Sequence, residues 1–306
     1  MIDLRKVECF KIRVIANDNP IDIKRGHVVK YISFDSYIAL HEPTIIVADP
    51  FLYVKNETLY LFYEQKKLYS NGVIMMTSTK DLKRWTEPIV VLQDKCHLSY
   101  PYVFDDCGVT YMIPETCGLN SIRLYKANND MTKFEFVKEI IKDNVSHIDG
   151  FSFSDTSVYK KDETYYLMTS IRDNDVNILK LYTSTSLMGV YTEHPKSPIC
   201  RTNKIGRNGG GIKEYKNRLY RFAQDCMFSY GDNIHLIEIN DISTTNYDEV
   251  LKKENILPIE MDFYKYGGHH INFLRFKEKY IIATDAKEYH YFFLNRFWHK
   301  IIHRNK

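Results

Sequence analysis

Apolar and polar positions alternate along most of this chain in short runs broken by polar turns, and the runs come in pairs. A run rich in β-branched and aromatic residues, a short turn such as Lys55-Asn56-Glu57, Asp105-Asp106-Cys107-Gly108 or Lys216-Asn217, and a second aromatic-rich run recur five times. Each pair predicts a β-hairpin, because period-two alternation on both sides of a turn cluster puts one face of each strand inward. Two copies, residues 49–64 and 155–169, correspond at a constant offset of 106. Aligning the five copies on the aromatic of the second run selects Tyr60, Tyr111, Tyr166, Tyr220 and Tyr280, at intervals of 51, 55, 54 and 60, with no gap inside any copy. Between copies lie further short apolar runs, at 73–77, 122–126, 178–183 and 235–239. No helical apolar period persists there, which argues against strand–helix–strand units.

Two hairpins per interval make a four-stranded antiparallel sheet, and such sheets repeated at this spacing are the mark of propeller blades. The chain is therefore expected to be all-β: a single five-bladed β-propeller domain over residues 1–306, with blades opening near 49, 100, 155, 209 and 269 and residues 1–48 as a lead-in and closing strand. Segments 28–32 and 43–47 are expected to pair with the last blade, since closure of the ring removes an exposed sheet edge. The innermost strand of a blade runs along the channel and the next returns antiparallel, so the start of one and the end of the other meet at one mouth. The register puts Asp49, Tyr100, Asp155, Gly209 and His269 at the first positions, and Glu64, Glu115, Ser170, Gln224 and Thr284 at the second.

Composition narrows the partners. Hydrophobic residues make up 44% of the 306, enough for a large core, and 42 Lys and Arg against 39 Asp and Glu leave a net charge of only +3. A polyanion-coating role, and so nucleic acid, has little support. The stretch from Asn295 to Lys306 mixes basic and large apolar residues, a composition that can touch an anionic membrane surface or simply end the last strand in solvent. No run reaches the roughly 18–20 apolar residues of a membrane span, and the first residues lack the apolar core of a signal peptide. The expected location is the cytoplasm, with the inner membrane surface as the place such a tail would touch. Cys9, Cys96, Cys107, Cys117, Cys200 and Cys226 show no paired spacing, so reduced structural thiols are expected rather than a zinc site or disulfides.

The mouth carries the candidate chemistry. Asp49, Glu64, Glu115 and Asp155 fall in the ring, with Asp225 beside Gln224, Arg207-Asn208 before Gly209, and His270 beside His269. Carboxylates gathered in a confined space are costly unless paired or used. Arg172, Arg207 and Arg221 are the candidate pairing partners, which would make some of the acids structural. His269, His270 and Asp49 could hold a cation at the axis, but adjacent residues of a strand point to opposite faces, so no metal and no other cofactor is expected.

At these residues the chain resembles the five-bladed propellers of carbohydrate-active enzymes, including glycoside hydrolase families 43 and 32 and the mannoside phosphorylases. The resemblance rests on Ala48-Asp49-Pro50-Phe51 and on two outer-hairpin motifs, residues 77–86 and 183–195. It is closer to the N-terminal domain of plant glucosamine inositolphosphorylceramide transferases and its bacterial relatives from surface-polysaccharide clusters. The motifs are Leu98-Ser99-Tyr100-Pro101-Tyr102-Val103-Phe104, Tyr111-Met112-Ile113-Pro114-Glu115-Thr116, Arg207-Asn208-Gly209-Gly210 and Tyr220-Arg221-Phe222-Ala223-Gln224-Asp225-Cys226, within about residues 40–295. The family-43 pattern implies Asp49 as base and Asp155 as the acid that tunes pKa. Its fourth-blade acid is missing, since Asn208-Gly209-Gly210 stands there. An unactivated glycoside needs a proton donor, whereas a phosphate leaving group needs only cations, for which Arg172, Arg207, Arg221 and His270 are candidates. The expectation is an enzyme of sugar transfer in surface-polysaccharide or glycoconjugate biosynthesis, with Asp49, Glu115 and Asp155 catalytic. Glu64, Tyr100, Arg172, Arg207, Asn208, Arg221, Gln224, Asp225, His269 and His270 would bind the carbohydrate or activated sugar. The alternatives are a glycosidase with Glu115 as displaced acid, and a non-catalytic glycan-binding propeller whose aromatic residues stack on sugars.

Overall fold

The computed structural model of the chain describes residues 6–35, 42–143, 153–292 and 295, so most of the basic C-terminal stretch lies outside the described residues. Two N-terminal strands, β1 (Val7–Asn17) and β2 (His27–Ile32), leave the start of the chain and join its last sheet. Blade one follows as β3 (Thr44–Lys55), β4 (Thr58–Lys67), β5 (Val73–Thr79) and β6 (Ile89–Leu92). Blade two is β7 (His97–Asp106), β8 (Val109–Cys117), β9 (Ser121–Ala127) and β10 (Phe134–Lys142). Blade three is β11 (Ser154–Lys161), β12 (Thr164–Asp173), β13 (Val176–Ser184) and β14 (Thr192–Glu193), with β15 (Cys200–Arg201) also on β13. In blade four two short inner strands, β16 (Arg207–Asn208) and β17 (Lys213–Tyr215), pair with β18 (Arg218–Asp225), followed by β19 (Asn233–Ile242) and β20 (Tyr247–Lys253). Blade five is β21 (Ile271–Phe276), β22 (Lys279–His290), β1 and β2. Neighbouring strands within each blade are antiparallel, and the fold is the expected five-bladed propeller.

Closure is made by β1, which pairs with β22 from Val7 opposite His290 to Asn17 opposite Tyr280 and leaves no open edge between the chain ends. Residues 28–32 lie in β2 and join the last blade as expected, but residues 43–47 do not. From Thr44 on they form the start of β3, the inner strand of blade one, because the closing pair is taken from further upstream. Core strands are buried on both faces, since each blade stacks on the next. One cluster runs from Phe51 and Phe62 through Tyr100, Tyr102 and Met112 to Val158 and Leu167, and another joins Phe222 and Leu236 to Ile271 and Phe273.

The inner strands of three blades share one device. Ala48 pairs with Glu64 and Phe51 with Phe62, and the register slips between them; the same slip lies between Ser99 and Tyr102 and between Ser154 and Ser157. Asp49, Tyr100 and Asp155 sit in these bulges with φ of 52°, 45° and 52°. A bulge bends the strand and re-aims a side chain, and here it does so at the same mouth in each blade. The gap-free register breaks in the other two. In blade four Arg207 and Asn208, not Gly209, pair opposite Gln224 and Ala223. In blade five the two-residue turn is kept, with Phe276 opposite Lys279, but Tyr280 stands one residue nearer to it than the matching tyrosines of the other blades, and His269 precedes β21 altogether.

Candidate functional site

The carboxylates of the mouth first serve the seams between blades. Asp285 Oδ2 accepts from the Asp49 backbone N–H at 3.2 Å, Asp49 Oδ2 from that of Tyr100 at 3.0 Å, and Glu115 Oε2 from that of Asp155 at 3.1 Å. Each acceptor thus ties its blade to the bulge of the next. The fourth seam, between blades three and four, is closed by Asn208, whose Nδ2 donates to Asp155 O at 2.8 Å and whose N–H donates to Ser170 Oγ at 3.2 Å. The fifth, between blades four and five, is closed by the Ile271 N–H on Gly209 O at 2.8 Å.

Around that ring the charges are crowded. Asp155 Oδ2 accepts from Arg207 Nε at 2.6 Å and from Gln224 Nε2 at 2.9 Å, while Arg207 reaches Glu115 Oε2 at 3.6 Å. His269 lies between two acids, Nδ1 3.0 Å from Asp285 Oδ2 and Nε2 3.3 Å from Asp49 Oδ1. His270 Nδ1 is 3.5 Å from the same Asp49 oxygen, and His97 Nε2 is 3.2 Å from Glu64 Oε1. The ring of Tyr230 covers the Arg207 guanidinium at 5.1 Å, and Phe10 and Tyr230 flank His269.

Burial sets the protonation. It pushes the Glu115 carboxyl up to about 8, with the neighbouring Asp155 adding to the rise and Arg207 offsetting part of it. Glu64 and Asp155 are also raised by burial, against the opposing pull of His97 and Arg207 respectively. Asp49 goes the other way: burial would raise it, but His269 and then His270 outweigh burial and hold it well below the usual carboxylate range. His269 is correspondingly held protonated, its burial overcome by Asp285 and Asp49. One buried cluster therefore holds an acid that its neighbours keep ionised and another that burial keeps protonated.

Several buried polar atoms here lack an aligned hydrogen bond: Asp49 Oδ1, Glu64 Oε1, both ring nitrogens of His270 and Asn272 Nδ2. Buried polar atoms are normally satisfied, so their concentration on the axis between blades five and one marks a place where a polar ligand or solvent belongs. Asp49, His269 and Asp285 also offer ligand atoms within 4.8 Å of one another, the group of described residues able to hold a metal ion. As they stand, the protonated imidazole of His269 offsets one carboxylate charge of the triad and no more.

The cluster thus brings together Asp49, Glu64, Glu115, Asp155, Arg207, Asn208, Gln224, His269 and His270. Tyr100 lies beneath it, fully buried, its hydroxyl 3.0 Å from Ser157 Oγ and its ring against Phe51 and His270. Three residues expected at the site stand elsewhere. Arg172 is exposed and pairs with Asp175 at 2.9 Å. Arg221 is sealed in blade four, with a bidentate pair on Glu249 at 2.6 and 2.5 Å. Asp225 pairs with His235 at 3.1 Å. Both histidines reach Asp49, against the expectation from strand alternation, because residues 267–270 precede β21 and are not in extended pairing. Thr284 turns away to Tyr264, 2.6 Å from its hydroxyl, and Asp285 takes the inward place. Asp285, His97 and Tyr230 are site residues that sequence reasoning missed. Asp285 was one step from an expected position, while His97 and Tyr230 carry no local signal.

Comparison with known proteins agrees with the architecture. A family model described as glucosamine inositolphosphorylceramide transferase 1, N-terminal, matches residues 30–284. The glucosamine inositolphosphorylceramide transferase 1 of Arabidopsis thaliana is 33% identical over 216 residues, 68% of this chain and 27% of that protein. The chain thus spans about a quarter of the length of that relative. Among solved structures, an α-L-arabinofuranosidase from Podospora anserina in complex with cellotriose superposes with a TM-score of 0.58 at 10% identity, over 79% of this chain and 90% of that one. A family 117 glycoside hydrolase produced by Zobellia galactanivorans gives 0.55 at 12% identity, over 79% and 84%. Likeness at these identities establishes the shared fold.

Proposed function

The chain belongs to the family of glucosamine inositolphosphorylceramide transferase N-terminal domains, and from that premise we propose that its axial pocket binds a sugar and performs acid–base chemistry at a glycosidic bond. The observation that carries this reading is the opposite protonation of Asp49 and Glu115 in one pocket. Two titratable groups whose surroundings push their pKa values apart are the arrangement that lets one fold supply acid and base at once. Glu115 would give its proton to the leaving oxygen, and Asp49 would take the proton of the attacking hydroxyl. Asp155, held by Arg207 and Gln224, would position the reacting groups.

Charge argues against an anionic donor. Arg221 and Arg172 are paired outside the cluster, and Arg207 is already shared by Asp155 and Glu115. A departing phosphate would meet carboxylates rather than free cations. The reading is therefore transfer from a glycoside, in glycoconjugate or surface-polysaccharide synthesis, with hydrolysis as the same chemistry when water is the acceptor. The name of the plant relative makes glucosamine the first sugar to test, and an ammonium group suits a site where Asp49, Glu64, Asp155 and Asp285 outnumber Arg207 and His269. Because the chain matches only 27% of that relative, a second reading is that the propeller supplies sugar recognition to a larger transferase.

A panel of alkyl and 4-nitrophenyl glycosides, glucosaminides included, tests this. Turnover of alkyl glycosides should fall about 100-fold or more in Glu115→Gln and in Asp49→Asn. The 4-nitrophenyl substrates should lose less in Glu115→Gln, because that phenolate leaves without a proton. Turnover of nucleotide sugars untouched by either substitution would overturn the assignment. Binding of the sugar without turnover would favour the recognition reading.

A further inference from the structure

The mouth is not evenly polar. Over blades four and five, loops beside the pocket hold large apolar side chains out in solvent: Met227 is 53% exposed, Phe228 95%, Tyr266 45% and Tyr291 48%. A single exposed apolar residue needs no explanation, but a contiguous set does. The set is contiguous because the two loops touch: a Cβ on Gly267 would lie 2.3 Å from Asp232 O, so only glycine allows that approach. Tyr266 meets Tyr289 edge-on at 5.4 Å, and Lys6 Nζ lies 5.9 Å from the rings of both Tyr289 and Tyr291.

Nor is the projecting loop slack. Met227 N–H donates to Asp225 Oδ1 at 2.9 Å, and the N–H groups of Phe228 and Ser229 donate to Asp232 Oδ2 at 3.1 and 2.8 Å. The buried Lys287 Nζ donates to Tyr230 O at 2.6 Å. Phe228 is thus presented to solvent by a fixed scaffold, which opposes its burial.

Two of the acids beside these rings are paired with lysines, while Glu8 and two lysines keep their charge. Glu288 pairs with Lys11, Glu260 with Lys24, and Glu8 accepts from the Tyr289 hydroxyl. Lys265 lies over the Tyr266 ring at 5.5 Å, and among the described residues neither it nor Lys6 has an ion pair. Aromatic tips with lysine heads beside them are how proteins sit at a lipid–water boundary, the rings at headgroup depth and the ammoniums on anionic lipid. The sequence beyond Phe292 continues the same composition, with Arg296, Phe297, Trp298, Lys300, Ile301, Ile302, Arg304 and Lys306.

We propose that this rim docks the protein on an anionic phospholipid surface and turns the mouth of the pocket toward the membrane. The proposal stands apart from the chemistry inside the pocket, so either can fail alone. The test is co-sedimentation of the full chain with phosphatidylcholine vesicles, with and without phosphatidylglycerol. Binding is expected with phosphatidylglycerol, weaker without it, and reduced by salt. Phe228→Ser should weaken it about tenfold or more, and Lys6→Gln with Lys265→Gln by about 25-fold, at about fivefold per lysine. Val190→Ser, an exposed site on the opposite face, should leave it unchanged, and circular dichroism would verify that the variants fold. No association of the unaltered chain, or equal binding by Phe228→Ser and the lysine variant, would overturn the proposal. So would loss of all binding on deleting residues 296–306 while the rim variants bind normally.

Discussion

Glu115 and Asp155 are acids placed where an acid is expensive, and Glu115 answers by keeping its proton. An ordinary glutamate titrates near 4.3, while burial raises Glu115 to about 8. A carboxyl raised in the folded state contributes its full stability below the unfolded pKa and loses it as pH climbs through the folded one. Glu115 should therefore cost stability progressively between about pH 4 and pH 8. Gln in its place keeps an oxygen for the Asp155 N–H, 3.1 Å away in the native protein, and copies the protonated acid. Glu115→Gln is expected to match the unaltered chain in Tm near pH 4 and exceed it by roughly 3–6 °C at pH 8 to 9, read by calorimetry across that range. A constant difference at all pH values would mean that Glu115 is not protonated in the fold. Asp49 has the opposite sign: its depressed pKa stabilises above about pH 4 and that contribution is lost on acidification.

At the scale of elements, the site depends on inner strands that bulge at the same step in blades one to three and on a close seam between blades four and five. Gly210 carries that seam. Its φ is 151°, and a Cβ there would lie 2.1 Å from Ile271 O. Gly210→Ala must push β21 away and break the Ile271 to Gly209 hydrogen bond. A loss of about 3 kcal/mol or more is expected, as a lower urea midpoint, with His269 displaced from Asp49. The hairpins were legible beforehand because alternation and turn residues are local signals. The bulges were not, since an extra residue leaves the alternation pattern readable in either register. Assuming no insertion placed blades one to three correctly, moved Gly209 into the place of Asn208, and set His269 on a strand that begins at Ile271.

The whole molecule is a ring closed by strands from its two ends. Deleting residues 6–33 would remove β1 and β2, strip Ile12, Val14 and Ile15 from the core, and leave β22 as a bare edge. The shortened chain is expected to oligomerise or precipitate, which size-exclusion chromatography would show. A soluble monomer with native circular dichroism would mean that the other four blades hold the ring alone.

The sequence by itself determined the repeat, the number of blades and most of the acids at the mouth, because strand period and turn chemistry act over a few residues. Only the tertiary structure decided which charges meet. Arg172, Arg207 and Arg221 look alike in sequence, yet one is in solvent, one is shared between two catalytic candidates and one is sealed against Glu249. Asp285, His97 and Tyr230 come to the site from separate segments, through blade packing that no local pattern encodes. Protonation follows the same rule: Asp49 and Glu115 have similar side chains, and only burial and the neighbours supplied by other blades drive them apart.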